Sequence, residues 1–74
     1  MELIYTDSSL KNGITTDTIE HIIRTGDFLG SDHKGGIWWL GPDPDGEGVE
    51  VIAHTLYPHT ITVYHAMLMR WRRQ

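Results

Sequence analysis

The sequence predicts a single α+β domain in which a short N-terminal helical hairpin packs on a four-stranded antiparallel sheet. Three observations predict this class. Residues 7 to 25 carry helix caps and apolar residues at helical spacing, residues 27 to 67 alternate with the period of strands, and strong turn signals separate the strand segments. Because 74 residues suffice for only one core, we assign residues 1 to 74 to one domain.

The first segment carries the signals of one short strand and one short helix. ELIYT, residues 2 to 6, is a candidate strand ahead of the helices. In TDSSLKNG, Asp7 is placed to cap a helix over residues 8 to 12, and Gly13 supplies the left-handed residue that ends it. This helix is expected to be only about one and a half turns long.

A second helix is predicted in GITTDTIEHIIRTG. Asp17 and Glu20 have the spacing of a capping box, with Thr15 and Thr16 as competing caps, and Gly26 ends the helix. Its apolar stripe is formed by Ile19, Ile22 and Ile23. The two helices together form the predicted hairpin over residues 7 to 25.

Four strands in an antiparallel meander are predicted after the helices. DFLGSDHKGGIWWLG contains two strands joined by a turn at residues 32 to 35, and PDPDGEG at residues 42 to 48 is the strongest turn signal. GVEVIAHTL and TITVYHAM flank a third turn at residues 57 to 59. Trp38 and Trp39 point to opposite faces of their strand, so we expect one in the core and one on the outer face.

The register of the last hairpin follows from its apolar pattern. If the turn is centred on Pro58, Val51 lies opposite His65 and Ala53 opposite Val63. The core face then collects Val49, Val51, Ala53, Ile61, Val63 and Met67, with His65 at its margin. A slip of one residue would mix apolar and polar side chains on this face, so we favour this register and expect the helices to cover it. The opposite face carries Glu50, Ile52, His54, Thr62 and Tyr64.

Basic charge is concentrated at the C-terminus of an acidic chain. Residues 1 to 69 contain all ten Asp and Glu and only three basic residues, a net charge of −7, whereas residues 70 to 74 carry +3. The acidic body repels phosphate at long range, so nucleic-acid contact would be confined to the basic end. The same body suits a basic protein partner.

Composition also bears on compartment and association. The chain has no cysteine, no apolar run of the ~18 residues that a membrane span needs, and no signal-peptide pattern in MELIYTD. We therefore expect a cytoplasmic protein with no membrane association. A small chain without disulfides often gains stability by self-association, which predicts a homo-oligomer.

Three arginines directly follow the last predicted strand. Arg70, Arg72 and Arg73 present planar guanidinium groups that match phosphate, so the cluster is a candidate RNA clamp. Trp71 lies between them, where an indole can stack on a base. The alternative is a solvated charged tail, with the tryptophan docked on the domain or on another subunit.

Two histidines are candidates for proton transfer near neutral pH. His54 lies on the polar face of the sheet near Glu50, where a carboxylate and an imidazole can act as acid and base. His65 lies at the end of the last strand beside the arginines, and the alternative for it is a half-buried structural histidine. The candidate catalytic residues are therefore Glu50, His54, His65 and Arg70.

No motif indicates a metal or a cofactor. The five histidines do not have zinc-site spacing, and PDPDGEG lacks the full ligand pattern of a calcium loop. No glycine-rich loop opens a helix, and the chain has neither a GxSxG motif nor a cysteine nucleophile. We predict that the protein uses no metal and no cofactor.

The order of motifs along nearly the whole chain resembles a known family. IYTDSSLKNGIT, DTIEHIIR, IWWLGPDPDGEGVEVIA and ITVYHAMLMRWRR occur in sequence. They contain a K-N-G-I-T helix junction, G-P-D after a hydrophobic strand, a VEV strand, and H-A-M followed by arginine. The pattern is similar to toxins related to BrnT, the ribonuclease toxin of a type II toxin-antitoxin pair with a RelE-like fold.

This resemblance implies a toxin that dimerises and is neutralised by a cognate antitoxin. Such a toxin cleaves RNA without metal, with the 2′-hydroxyl of the RNA as the nucleophile. By position, the arginine after H-A-M corresponds to Arg70, with Arg72 and Arg73 as a basic extension and His65 at the strand end. The acidic body departs from the more basic family pattern. The alternative function is a non-catalytic interaction module, such as a phage or mobile-element protein that binds one host protein.

Overall fold

The computed structural model describes residues 2 to 31, 35 to 55 and 59 to 71, and it is an α+β fold. In chain order the elements are β1 (Glu2–Tyr5), α1 (Asp7–Leu10), α2 (Thr16–Thr25), β2 (Asp27–Ser31), β3 (Gly36–Pro42), β4 (Gly48–His54), β5 (Thr60–Leu68) and a C-terminal 3₁₀ turn (Met69–Trp71). The turns expected at residues 32 to 35 and 57 to 59 fall largely outside the described residues. Among the helices of the described ranges, none is long and apolar enough to cross a membrane.

The five strands form one mixed sheet in the order β1-β5-β4-β3-β2. β2 to β5 are the expected antiparallel meander. β1 adds a fifth strand that runs parallel to β5, with Leu3 opposite Ile61 and Tyr5 opposite Val63. The prediction of a four-stranded, wholly antiparallel sheet is therefore wrong, although the candidate strand at ELIYT is confirmed. Local sequence signals do not report this pairing, because it joins the two ends of the chain.

The first helix is shorter than expected and begins differently. α1 is one turn, and Thr6 rather than Asp7 is its cap, because the Ser9 amide donates to Thr6 Oγ1 at 3.3 Å. Gly13 has a φ of 79°, the left-handed conformation expected after the helix. α1 lies against β5, whereas α2 lies against β3 and β4. The two helices thus pack on different strands, and the expected helical hairpin is corrected to two separate short helices.

The second helix matches its sequence signals closely. Of the competing caps, Thr15 takes the position, and its Oγ1 accepts from the Thr18 amide at 3.2 Å. The helix ends at Gly26, whose amide donates to the Ile22 carbonyl at 2.7 Å. Ile19 and Ile22 are fully buried. α2 therefore supplies the apolar stripe that covers the sheet.

Close packing of α2 on β3 depends on two glycines. A Cβ at Gly41 on β3 would lie 3.0 Å from the Ile22 side chain. One at Gly26 would lie 2.6 Å from the Ile22 carbonyl oxygen and 2.9 Å from that of Leu40. Real Cβ atoms do not approach oxygen this closely. α2 can therefore lie this near to β3 only because both positions lack a side chain.

The core lies between the helices and one face of the sheet. Its buried apolar residues are Ile19, Ile22, Trp39, Val49, Val51, Ala53, Ile61, Val63, Ala66 and Leu68. Trp39 is the core tryptophan of the adjacent pair, and Trp38 on the other face is only partly buried. The expectation that helices cover the face containing Val49 and Val51 is confirmed.

The register of β5 against β4 shifts at a β-bulge. Ala53 pairs with Val63 as predicted, but Val51 pairs with Ala66 instead of His65. The extra residue of β5 is Tyr64. The prediction that His65 and Met67 continue the core face is therefore wrong, and Ala66 and Leu68 are buried there instead. The apolar phase of β5 changes after Val63, and the bulge is what keeps both apolar pairs in the core.

Candidate functional site

The candidate residues lie on the face of the sheet opposite the helices, which we call the open face. Read across β3, β4 and β5, its rows are Leu40–Glu50–Met67, Trp38–Ile52–His65 and Gly36–His54–Thr62. Alternate residues of a strand share a face, so Glu50 and His54 lie together here, as the sequence predicts. His65 joins them only because of the bulge in β5.

The bulge places two consecutive side chains on the open face. The Tyr64 and His54 ring centroids are 4.6 Å apart, with the ring planes tilted by 58°. His65 Nε2 lies 3.3 Å from Glu50 Oε1. In a regular strand Tyr64 and His65 would point to opposite faces, whereas the extra residue of a bulge re-aims the side chains around it. The His54–Tyr64 pair and the Glu50–His65 pair are therefore neighbours on β4 and β5.

The Glu50 and His65 pair combines a buried acid with a partly exposed base. The Glu50 side chain is 5% exposed and that of His65 is 27% exposed. The cross-strand neighbours of Glu50 are Leu40 and Met67, two apolar side chains that help to withdraw the carboxylate from water. A carboxylate against one imidazole nitrogen orients the ring, which is the arrangement used to prepare histidine for proton transfer. His65 is the more exposed member of the pair.

The basic end of the chain is described only in part. Arg70 lies in the 3₁₀ turn after β5, and its Nε is 3.4 Å from Glu47 Oε1. Both side chains are well exposed, at 64% and 45%, so this ion pair is weak and a phosphate can compete for the guanidinium. Trp71 is 44% exposed. Arg72 and Arg73 lie outside the described residues.

A shallow groove adjoins this end of the sheet. It encloses about 540 Å³ and is lined in part by Leu40, Gly48 and Met69. Met69 belongs to the same 3₁₀ turn as Arg70. The sequence did not point to this groove, because it forms where α2, β3 and the 3₁₀ turn meet.

Within the described ranges, no group of three or more His, Asp or Glu side chains is arranged to hold a metal ion. Asp43, in the turn before β4, is instead used structurally, because its Oδ1 accepts from the amides of Asp45 and Glu47, each at 2.9 Å. These bonds explain PDPDGEG as a tight turn that brings Glu47 beside Arg70.

Fold and site together define a small α+β protein with a carboxylate-histidine pair on the open face of its sheet. No protein-family model matches the chain, and no curated protein or solved structure matches it either. The similarity to BrnT-related toxins therefore rests on the sequence motifs alone.

Proposed function

We propose that this protein is a toxin-like, metal-independent endoribonuclease related to BrnT, with a RelE-like arrangement of its sheet and helices. The observation that carries the proposal is the pairing of the buried Glu50 carboxylate with the partly exposed His65 imidazole at 3.3 Å. This pair occupies the open face of the sheet, and the strand that bears His65 leads to the turn that contains Arg70. Acid-base groups and a cation that can reach the same phosphate are what RNA cleavage without metal requires.

The proposed reaction divides its tasks among these residues. His65 removes the proton of a ribose 2′-hydroxyl, and Glu50 orients the imidazole without touching RNA. The 2′-oxygen attacks the adjacent phosphorus, and the bond to the 5′-oxygen breaks. His54, in contact with Tyr64, returns a proton to the departing 5′-oxygen. The products are a 2′,3′-cyclic phosphate and a 5′-hydroxyl.

Phosphate and base binding are assigned to the basic end. Arg70 meets the negative charge that builds up on the phosphate in the transition state, and Arg72 and Arg73 extend the positive surface. Trp71 provides an exposed indole for base stacking. Because the rest of the chain is acidic, binding should be weak and should fall steeply with salt.

The proposal includes the biological setting implied by the sequence resemblance. The partners are RNA and a cognate antitoxin, the compartment is the cytoplasm, and the toxin is a homo-oligomer. Neutralisation by a basic antitoxin segment suits the acidic body. A neighbouring gene for a small antitoxin would be the corresponding genomic observation.

Cleavage of a defined RNA in the presence of EDTA tests the proposed enzyme. Replacing His65 by Gln should lower the cleavage rate by about 100-fold or more, the usual contribution of a general acid or base. Arg70→Ala should also slow cleavage. His21→Gln is the matched control, since His21 is an exposed histidine on α2, on the other side of the sheet. Intact RNA at several protein and salt concentrations would refute the ribonuclease, as would equal rates for the His65 and His21 variants.

A second function, a non-catalytic interaction module, is favoured by one specific feature. Phe28 and Leu29 on the edge strand β2 are 61% and 55% exposed, which is unusual for large apolar side chains on a small protein. Stoichiometric binding of a single host protein would support this function if the Phe28→Ser/Leu29→Ser double replacement abolishes that binding. Leu10→Ser is the control, because Leu10 is exposed on α1, away from β2. Unchanged binding by the double variant would exclude β2 as the interface.

A further inference from the structure

The N-terminal segment holds the edge of β5 at the bulge. Parallel pairing with β1 ends at Tyr5 opposite Val63, and the Thr6 amide then donates to the Val63 carbonyl at 3.0 Å. Beyond this point β1 no longer covers β5. Side chains of the following residues take its place along that edge.

Two of these side chains bracket His65. Ser8 Oγ donates to the Tyr64 carbonyl at 2.7 Å, and Asn12 Nδ2 donates to the Ala66 carbonyl at 2.9 Å. The first bond fixes the peptide that precedes His65, and the second fixes the one that follows Ala66. A bulge interrupts the hydrogen bonds between strands, so backbone carbonyls next to it need other donors, such as these side chains.

Hydrogen bonds also tie α1 to the residue before it. Ser9 is fully buried, and its Oγ donates to the Thr6 carbonyl at 2.7 Å. Thr6 Oγ1 is also 2.9 Å from Ser8 Oγ. A helix of one turn has little stability by itself, so these bonds are what keep Ser8 against β5.

We propose that Ser8 and Asn12 are positioning residues that set the geometry of the Glu50–His65 pair through the backbone of β5. This deepens the proposed ribonuclease function and rests on it for its catalytic meaning. Both side chains bond the backbone of β5 and neither is seen to bond Glu50 or His65. They stabilise the bulged register, in which His65 faces Glu50. In a regular strand without the bulge, His65 would instead lie opposite Val51 and point toward the core.

NMR spectroscopy on the full chain tests this directly. The readouts are the cross-peak between the His65 ring protons and the Glu50 side chain, and that between the His54 and Tyr64 rings. Ser8→Ala and Asn12→Ala, singly and together, should weaken both cross-peaks and broaden the amides of residues 64 to 66. Asn12→Asp, which keeps the shape of the side chain but removes the donor, should act like Asn12→Ala.

Thr15→Ala is the matched control. It also deletes side-chain hydrogen bonds at a short helix, those to the amide and the hydroxyl of Thr18, but these lie in α2 and not on the β5 backbone. It should leave both cross-peaks at wild-type intensity even though it lowers stability. If the double variant does not fold, the single variants, each lacking one of the two bonds to the β5 backbone, provide the comparison. Cross-peaks of wild-type intensity in folded Ser8 and Asn12 variants would overturn the proposal.

Activity measurements then separate the two proposals. If the wild type cleaves RNA, the Ser8 and Asn12 variants should show a lower kcat at nearly unchanged KM, because they misplace a proton-transfer group and leave phosphate binding intact. A change in KM alone would contradict a positioning role. If the wild type does not cleave RNA, the ribonuclease proposal fails, while the NMR result still decides whether these residues set the His65 geometry.

Discussion

Replacing Gly26 by alanine should destabilise the protein by about 1 to 3 kcal/mol, the usual effect of inserting atoms into a well-packed site. The new Cβ would lie 2.6 Å from the Ile22 carbonyl oxygen and 2.9 Å from that of Leu40, and 3.0 Å from Ile22 Cγ2. Both oxygens belong to backbone, so no side-chain rotation relieves the overlap. The end of α2 must move away from β3, which opens the core around the fully buried Ile22.

Thermal and urea unfolding measure this effect, with tryptophan fluorescence, to which the buried Trp39 contributes, as the probe. For a domain of this size, 1 kcal/mol corresponds to a Tm shift of roughly 4 to 8 °C, so a loss of about 2 kcal/mol should lower Tm by roughly 8 to 16 °C. Gly48→Ala is the control, because its Cβ would meet only side-chain atoms of Met69 and Leu40 at 3.6 Å or more. If the two variants unfold at the same temperature, overlap of the new Cβ at Gly26 with the backbone oxygens does not destabilise the protein, and the reasoning is refuted.

Three further outcomes are expected. Thr15→Ala should lower stability by about 1 kcal/mol through loss of the α2 cap, seen as a lower urea midpoint, whereas Thr16→Ala should change it little. Burial, followed by the nearby charges of Glu20 and Asp17, raises the pKa of the Tyr5 phenol above its usual 10.0. Its contribution to stability is therefore complete below pH 10 and lost as pH rises through the folded-state pKa. The free energy of unfolding, from urea titrations, should fall less for Tyr5→Phe than for the wild type as pH rises above 10. Under the proposed function, Glu47→Gln should free Arg70 and so tighten RNA binding, measured by anisotropy titrations at low salt. Asp45→Asn is the control, and an equal gain in RNA affinity from it would show that net charge alone is responsible.

Much of the candidate site was within reach of sequence reasoning. Alternation along GVEVIAHTL places Glu50 and His54 on the polar face, and the structure agrees. The placement of His65 failed because the predicted register assumed an unbroken strand after Val63. The change of apolar phase in β5 was the available signal, since Ala66 and Leu68 do not share the alternation of Ile61 and Val63.

The sequence by itself determined the helix at Thr16–Thr25, the four-stranded meander, and which face of the central strands is buried. These features depend on local caps, turns and apolar spacing, so they can be read from neighbouring residues. Only the tertiary structure decided that β1 lies parallel to β5 and that the bulge at Tyr64 turns His65 toward Glu50. The pairing of β1 with β5 joins residues more than 50 positions apart along the chain, such as Tyr5 and Val63, and a local pattern carries no record of such contacts. The bulge leaves a mark in the apolar phase of β5, but which side chains it brings together depends on the register of β5 against β4.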